Sequence, residues 1–232
     1  MSVLALNGGE AELSDCGELP RWPRARDGDE DALLGVLRSG NWGSTAGDQV
    51  ARFQQEFAAY QGVGEGIALA NGTLAIVAAL RACGVGLGDE VIVPPYTFIA
   101  TAAAPLFVGA IPVFADVDPE SHLLDPTAVQ SAITPRTRAV IPVHLGGRAA
   151  DMDQFHRIAA EHDLWLIEDC AQAVGTRYKG VGVGAIGDVG TFSFQSSKNV
   201  SAGEGGAVTT NDPSMGERLY SLINVEIGRA HV

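Results

Sequence analysis

Four groups of residues in this sequence have side chains or backbone amides that could take part in chemistry. They are Gly72 with Thr73, Phe98, Asp169 with Gln172, and Ser193 with Lys198. Lys198 is one of only two lysines and lies among small and polar residues, between an apolar segment and a glycine-rich one. A lone lysine is usually a solvated surface charge, but these surroundings favour a crowded site. The other lysine, Lys179, lies in a YKGVG segment typical of an exposed hairpin tip.

The Asn71-Gly72-Thr73 segment lies between a predicted strand and a predicted helix. Free backbone N–H groups at a helix start bind phosphate, and glycine allows the phosphate a close approach. Taken alone, the segment is better explained as an ordinary N-cap.

Asp169 and Phe98 each have a functional and a structural interpretation. Asp169 ends an apolar segment, where a carboxylate can pair with a protonated ring nitrogen or cap the next helix. Phe98 could stack on a flat ring, although by itself it is better explained as a core residue.

Regular elements must position these groups, and apolar segments of strand length alternate with amphipathic segments of helix length. Strands are predicted at 66–70, 90–94, 111–117, 138–143, 164–169, 190–194 and 206–210, and helices at 28–38, 48–60, 71–84, 97–108, 126–133 and 150–163. This alternation predicts an α/β domain with a mainly parallel sheet and helices on both faces. Ligands of such sheets gather at the carboxyl ends of strands, where the four groups fall.

Composition narrows the function classes. The net charge of -13 argues against a nucleic-acid partner, because an acidic surface repels phosphate backbones. The cysteines at 16, 83 and 170 are odd in number and far apart, so we expect neither a disulfide framework nor a metal site, but reduced thiols in a cytoplasmic protein. The N-terminus lacks the pattern of a secretory signal.

Two segments resemble sequence patterns of other protein classes, a membrane span and a dinucleotide-binding motif. Residues 91–115 carry no charge, but four prolines divide them, so a strand, a helix and a strand are predicted rather than a membrane span. Residues 182–187 match GxGxxG, yet a hairpin-like turn precedes them and a strand follows, whereas a dinucleotide site needs a strand and then a helix. We therefore exclude a nicotinamide oxidoreductase.

The order of the motifs is specific. ANGTLAI, GDEVIVPPYTFIATA, IPVFADVD, ITPRTRAVIPVHLGG, ADMD, IEDCAQAVG and GTFSFQSSKNVSAGEGGAVTTND follow one another between about residues 20 and 224. In these motifs the chain resembles the DegT/DnrJ/EryC1/StrS family of fold type I aminotransferases, which use pyridoxal phosphate to aminate keto-sugars and keto-cyclitols.

The resemblance implies a role for each matching residue. Lys198 matches the lysine that binds the cofactor covalently and moves the proton, and Asp169 matches the carboxylate that pairs with the pyridine nitrogen. Gln172 matches the residue beside the ring hydroxyl, and Phe98 the aromatic that stacks on the ring. Gly72, Thr73 and Ser193 match the phosphate-binding groups.

The resemblance also implies substrates and partners. We expect glutamate or glutamine as the amino donor and a keto-sugar or keto-cyclitol as the acceptor. We also expect the protein to form a homodimer and not to bind a membrane. The alternatives are a pyridoxal-phosphate sugar dehydratase, in which histidine replaces the lysine, and a non-catalytic or regulatory relative. The intact set of Lys198, Asp169 and Ser193 argues against both.

Three ranges are predicted along the chain: an irregular segment at 1–27, an incomplete cofactor-binding large domain at 28–225, and a tail at 226–232. The tail, EIGRAHV, can be encoded by the start of a common sequencing adapter. Our hypothesis is that the tail comes from that adapter, that the family's small C-terminal domain is missing, and that the fragment is inactive.

The HLGGR segment departs from the family in having Gly146 where many relatives have an aromatic residue. The family's substrate contacts there are not implied for this chain.

Overall fold

The fold is taken from a computed structural model that describes residues 3–10, 17 and 21–224. The predicted tail at 226–232, Cys16 and most of 11–20 lie outside the described residues. The described part of 1–27 contains one short 3-10 helix, Ala5–Asn7.

The described residues form nine strands and seven α-helices. The strands are β1 (Glu65–Leu69), β2 (Glu90–Val93), β3 (Ile111–Phe114), β4 (Thr137–Val140), β5 (Trp165–Asp169), β6 (Arg177–Tyr178), β7 (Val181–Gly182), β8 (Val189–Ser193) and β9 (Gly206–Thr210). The helices are α1 (Asp29–Ser39), α2 (Gln49–Gln61), α3 (Gly72–Ala82), α4 (Ala100–Phe107), α5 (Pro126–Ala132), α6 (Met152–His162) and α7 (Pro213–Ile223).

Seven of the strands make one sheet in the order β1-β9-β8-β5-β4-β2-β3. The pairs β8·β5, β5·β4, β4·β2 and β2·β3 are parallel, whereas β9 is antiparallel to both of its neighbours. Six strands therefore run in one direction, and their carboxyl ends lie at the same edge. The prediction of a mainly parallel sheet is confirmed.

Alternate side chains of the strands pack against different helices. Ile167 of β5 joins a core that includes residues of α3, α4 and α7, whereas Leu166 joins a second core with residues of α5 and α6. A third cluster packs Phe57 of α2 edge-to-face against Phe192 of β8. Successive residues of a strand point to opposite faces, so helices cover both faces of the sheet, as predicted.

Two predicted strands are shorter in the structure. β3 ends at Phe114, and the chain beyond it pairs locally instead: Val117 forms an antiparallel bridge with Leu124, and the backbone oxygen of Asp116 accepts the N–H of Asp125. β4 ends at Val140, close to Pro142, which has no N–H to donate to a ladder. The chain beyond it regains only an isolated parallel bridge between Val143 and Asp169.

The segment that resembles a membrane span and the GxGxxG segment both have the predicted structures. Residues 91–115 fold as strand, helix and strand, and within the part of the chain that is described, no helix is long and apolar enough to cross a membrane. The GxGxxG glycines run from β7 into β8 with no helix between them. A Cβ on Gly182 would lie 2.4 Å from the backbone oxygen of Gln61, and one on Gly187 would lie 2.5 Å from that of Leu166, so close backbone packing explains glycine at these positions.

Candidate active site

A cavity of about 460 Å³ opens at the carboxyl edge of the sheet. It lies after the ends of β1, β2, β4, β5 and β8, and its volume is within the usual range for a small-molecule pocket. All seven predicted site residues line it: Gly72, Thr73, Phe98, Asp169, Gln172, Ser193 and Lys198. The structure thus brings together residues that lie up to 126 positions apart in the sequence.

The start of α3 forms one wall of the pocket. Asn71 caps the helix, since its side chain accepts the N–H of Leu74, and Gly72 and Thr73 are the first two helical residues. A Cβ on Gly72 would lie 2.8 Å from the Cβ of Ser193, so only glycine lets the helix start this close to the end of β8. The N-cap and pocket interpretations of this segment are therefore compatible.

Asp169 ends β5 and lies beneath the pocket with only 4% of its surface exposed. Its Oδ2 accepts the hydroxyl of Thr101 at 2.8 Å, and its Oδ1 accepts the N–H of Ala171 at 3.1 Å. Burial raises the pKa of Asp169, and the two hydrogen bonds and the charge of Lys198 offset this only in part. The carboxylate is one that a nearby cation would stabilise.

Glu168, the neighbour of Asp169, points to the opposite face of β5 and is fully buried. Its Oε1 accepts the N–H groups of Ile186 and Gly187, and its Oε2 lies 2.9 Å from Nε2 of His144. Burial opposes the charge of Glu168, but the hydrogen bond from His144 and the backbone donors outweigh it and lower its pKa. Nδ1 of His144 accepts the N–H of Ala150, which fixes Nε2 as the protonated nitrogen of a neutral ring.

His144, Glu168 and Cys170 lie close enough for their ligand atoms to be within 4.8 Å of one another. Both nitrogens of His144 and both oxygens of Glu168 already take part in hydrogen bonds. Burial raises the pKa of the Cys170 thiol well above its ordinary value, so the thiolate that a metal would need is strongly disfavoured. The proximity of the three is explained by packing beneath β5.

Gln172 faces the pocket from the loop after β5. Its Oε1 accepts the N–H of Gly146 at 2.8 Å, and Gly146 has a φ of 60°. This contact uses the backbone at the position where the sequence departs from the family's pattern. Because Oε1 is occupied, the amide nitrogen is the donor that Gln172 can offer to a ligand.

Lys198 lies in the turn after β8 and is partly buried at the pocket wall. Its N–H donates to the backbone oxygen of Gln195, and its own backbone oxygen accepts the indole N–H of Trp22 at 3.1 Å. The second lysine, Lys179, lies in the β6–β7 turn with 67% of its side chain exposed, and it pairs with Asp153. The sequence-based distinction between a site lysine and a surface lysine is therefore supported by their positions.

Phe98 is 65% exposed at the mouth of the pocket. The alternative interpretation of Phe98 as a core residue is wrong, because the loop between β2 and α4 carries it over the sheet edge. The alternative of a helix cap for Asp169 is also wrong, since a turn and not a helix follows β5. Oδ1 accepts an N–H of that turn, from Ala171, and Oδ2 accepts the hydroxyl of Thr101.

Sequence reasoning missed Thr97, Thr101, His144 and Glu204. Three of them, Thr97, Thr101 and Glu204, line the pocket. His144 lies under Asp169 and donates its backbone N–H to the backbone oxygen of Asp169. A signal existed for the threonines, because hydroxyls four residues apart after a predicted strand share one side of a helical turn. Neither His144 nor Glu204 belongs to a local pattern that marks it.

The fold and the pocket are those of an α/β protein with a ligand site at the strand ends. Residues 24–231 match the DegT/DnrJ/EryC1/StrS aminotransferase family, and the chain belongs to that family. The resemblance seen in the sequence is confirmed.

Known relatives carry names that bear on function. The chain is 47% identical over 224 residues to L-glutamine:2-deoxy-scyllo-inosose aminotransferase of Streptomyces lividus, covering 94% of this chain and 52% of the relative. Among solved structures, 3-amino-5-hydroxybenzoic acid synthase matches with a TM-score of 0.86 and 43% identity over 88% of this chain and 54% of that one. NtdA of Bacillus subtilis with bound cofactor PMP matches with a TM-score of 0.78 and 34% identity, over 83% and 43% of the two chains. The chain thus spans about half the length of the relatives it matches.

Proposed function

We propose that the protein is a pyridoxal-phosphate-dependent aminotransferase in which Lys198 holds the cofactor. The observation that carries the proposal is the meeting of Lys198, Asp169 and the start of α3 in one cavity at the sheet edge. Membership of the aminotransferase family and the PMP-bound relative support the choice of cofactor. We propose residues 28–225 as the cofactor-binding domain.

The residues present fit this cofactor at each of its functional groups. The N-terminus of α3, with Gly72 and Thr73, offers backbone N–H groups and a positive dipole end to a phosphate, and Ser193 lies beside it. Asp169 offers a buried anion to a protonated ring nitrogen. Phe98 offers an exposed ring for stacking, and Gln172 offers an amide to a hydroxyl.

When bound, pyridoxal phosphate supplies an electron sink and a carbonyl that can carry an amino group between substrates. Asp169 would keep the ring nitrogen protonated, because its charge is poorly compensated without a cation. Lys198 would hold the cofactor and, once released by an amino donor, move the proton at the substrate carbon with its neutral amine. Lys198 and Asp169 line the same cavity, which supports their joint action on one ligand.

We propose an amino acid donor, with L-glutamine favoured, and a keto-cyclitol or keto-sugar acceptor. The name of the Streptomyces lividus relative specifies L-glutamine and an inosose, which is a cyclic keto-polyol. A dehydratase is disfavoured because the chain keeps Lys198, and a regulatory relative is disfavoured because the pocket residues are intact. We also propose a homodimer, which sedimentation analysis would test, because two-fold dimers are the commonest oligomers.

The amino-donor half of the reaction tests the function without knowledge of the acceptor. Pyridoxal phosphate is added to the full-length protein, because the 232-residue fragment is expected to be inactive. L-glutamine or L-glutamate is then mixed in, and the absorbance of the bound aldehyde form is followed. We expect L-glutamine to convert it to the aminated form, and the chosen keto-cyclitol, 2-deoxy-scyllo-inosose, to restore it. Binding of the cofactor without conversion by any amino acid would contradict an aminotransferase and favour a regulatory relative.

A further inference from the structure

Two threonine hydroxyls form a hydrogen-bonded chain that ends on Asp169. Oγ1 of Thr97 lies 2.9 Å from Oγ1 of Thr101, which in turn lies 2.8 Å from Oδ2 of Asp169. Thr101 is 1% exposed and belongs to α4, whereas Thr97 lies in the preceding loop, next to Phe98. All four residues line the pocket.

The charge of Asp169 fixes the direction of this chain. An ionised carboxylate only accepts hydrogen bonds, so Thr101 must donate its single hydroxyl hydrogen to Asp169. The oxygen of Thr101 is then free to act only as an acceptor, and the hydroxyl of Thr97 donates to it. If Asp169 took up a proton, the chain could run the other way.

We propose that Thr101, supported by Thr97, is a positioning residue that keeps Asp169 ionised and in one orientation toward the ring nitrogen of the cofactor. The inference rests on the proposed function and adds residues to it that the sequence patterns did not reveal. Thr101 and Ala171 each fill one lone-pair direction of the carboxylate, on different oxygens, so the group cannot rotate without losing one of them. Each oxygen keeps a further acceptor direction for a ligand.

Other charged or titratable groups near Asp169 also bear on its ionisation. Lys198 from the turn after β8 favours the charged form. His144, from the segment after β4, donates its backbone N–H to the backbone oxygen of Asp169. Glu168 precedes Asp169 on β5 and Cys170 follows the strand, and burial together with the charges of Glu168 and Asp169 raises the pKa of the Cys170 thiol. Among the side chains, only Thr101 is hydrogen-bonded to the carboxylate in the part of the chain that is described, so its removal is the most specific perturbation.

Thr101→Val tests the proposal, because valine keeps the shape and removes the donor. The probe is pyridoxal phosphate labelled with ¹⁵N in the ring, whose NMR shift reports protonation of that nitrogen, together with the cofactor dissociation constant from equilibrium dialysis. Loss of a hydrogen bond to a charged group corresponds to roughly a tenfold to hundredfold change in equilibrium constant. A carboxylate that loses its donor is the stronger base and competes better for the shared proton. We therefore expect the ring nitrogen of the bound cofactor to be protonated to a smaller extent at a given pH in Thr101→Val, with a dissociation constant raised by about this factor.

Three further variants make the result specific. Thr101→Ser keeps the hydroxyl and should restore the parent's ¹⁵N titration, and Thr97→Val should shift it in the same direction as Thr101→Val but less. Thr209→Val removes another fully buried threonine hydroxyl, one that bonds Gly184 away from the pocket, and should leave the titration unchanged. If Thr101→Val does not fold, Thr97→Val alone decides the matter, because it weakens the same chain from its outer end.

The outcomes separate the inference from the function. A parent-like ¹⁵N titration in a folded Thr101→Val, or in Thr97→Val where Thr101→Val does not fold, would overturn the positioning role while leaving the aminotransferase proposal intact. An equal shift in Thr209→Val would show a general packing effect and would also overturn it. A parent protein that binds no pyridoxal phosphate would refute the proposed function and the inference together.

Discussion

Two adjacent carboxylates on β5 lie on opposite faces of the sheet and are treated differently by the fold. Glu168 receives two backbone N–H groups and the ring of His144, and its pKa is lowered although it is fully buried. Asp169 receives one hydroxyl and one N–H, and burial raises its pKa. The cost of burying the charge of Glu168 is therefore offset by groups within the protein, whereas that of Asp169 is offset only in part.

The difference shows how a fold separates structural charge from functional charge. Glu168 joins the turn at Ile186 and Gly187 to the segment that carries His144, so its charge holds the layer beneath the pocket together. Asp169 lies at the pocket wall, can accept further hydrogen bonds, and has a pKa that burial raises. A cationic ring in the pocket would offset the cost of burying its charge. Strongly perturbed groups in clefts mark functional sites for this reason.

The largest expected effect is on catalysis, from Asp169→Asn. The amide cannot stabilise a positive ring, so we expect cofactor to remain bound while the single-turnover rate with L-glutamine falls roughly a hundredfold to a thousandfold, the range for removal of a key electrostatic group. Stopped-flow absorbance measures this rate. A variant that reacts like the parent would make Asp169 structural and remove the contrast with Glu168.

The next effect is on stability, from Glu168→Gln. Glutamine brings an NH₂ group that must face either the N–H of His144 or the two backbone donors, and a change of tautomer at His144 would set its Nδ1–H against the N–H of Ala150. We expect the free energy of unfolding to fall by about 2 kcal/mol, measured by urea denaturation. The matched control Glu161→Gln lies on the exposed side of α6 and should stay within about 0.5 kcal/mol of the parent. A loss of the same size in both variants would contradict the structural role.

A smaller effect should appear in the pH dependence of stability without cofactor. Because the pKa of Glu168 is lowered by folding, the parent's advantage over Glu168→Gln should be full above the ordinary glutamate range and shrink as the pH falls below it. Because the pKa of Asp169 is raised by folding, the parent should lose stability relative to Asp169→Asn as the pH rises above the ordinary aspartate range. Urea denaturation across pH measures both differences. A parallel pH trend in the two would show that the carboxylates are compensated alike.

The sequence was sufficient for the order of the elements as far as β9 and for residues whose motifs are local, but it did not predict α7. Hydrophobic alternation predicts all seven strands of the main sheet, and the strand-end rule groups Gly72, Phe98, Asp169 and Lys198 from the sequence alone. The predicted β3 and β4 are too long, because apolar character continues past the residue at which the strand ladder ends. Hydrophobicity records burial, whereas a strand also requires hydrogen bonds.

The supporting contacts depend on distances between segments that are remote in the chain. Thr101 and Asp169 are 68 residues apart, and Glu168 and His144 are 24 apart. No local period brings such pairs together, and only the parallel order β2-β4-β5 places their strand ends side by side. The same reasoning explains why Phe98 could not be assigned to the surface, since a phenylalanine near a strand end is as suitable for a core as for a pocket mouth.

The most direct test of the central claim is covalent trapping of the cofactor. The protein is incubated with pyridoxal phosphate, reduced with borohydride and digested, and the labelled peptide is identified by mass spectrometry. Since the chain has only two lysines, the result is a choice between the pocket turn after β8 and the exposed β6–β7 turn. We expect label on Lys198 in the parent and in Lys179→Arg, and none in Lys198→Arg. Label on Lys179, or on neither lysine, would contradict the central claim.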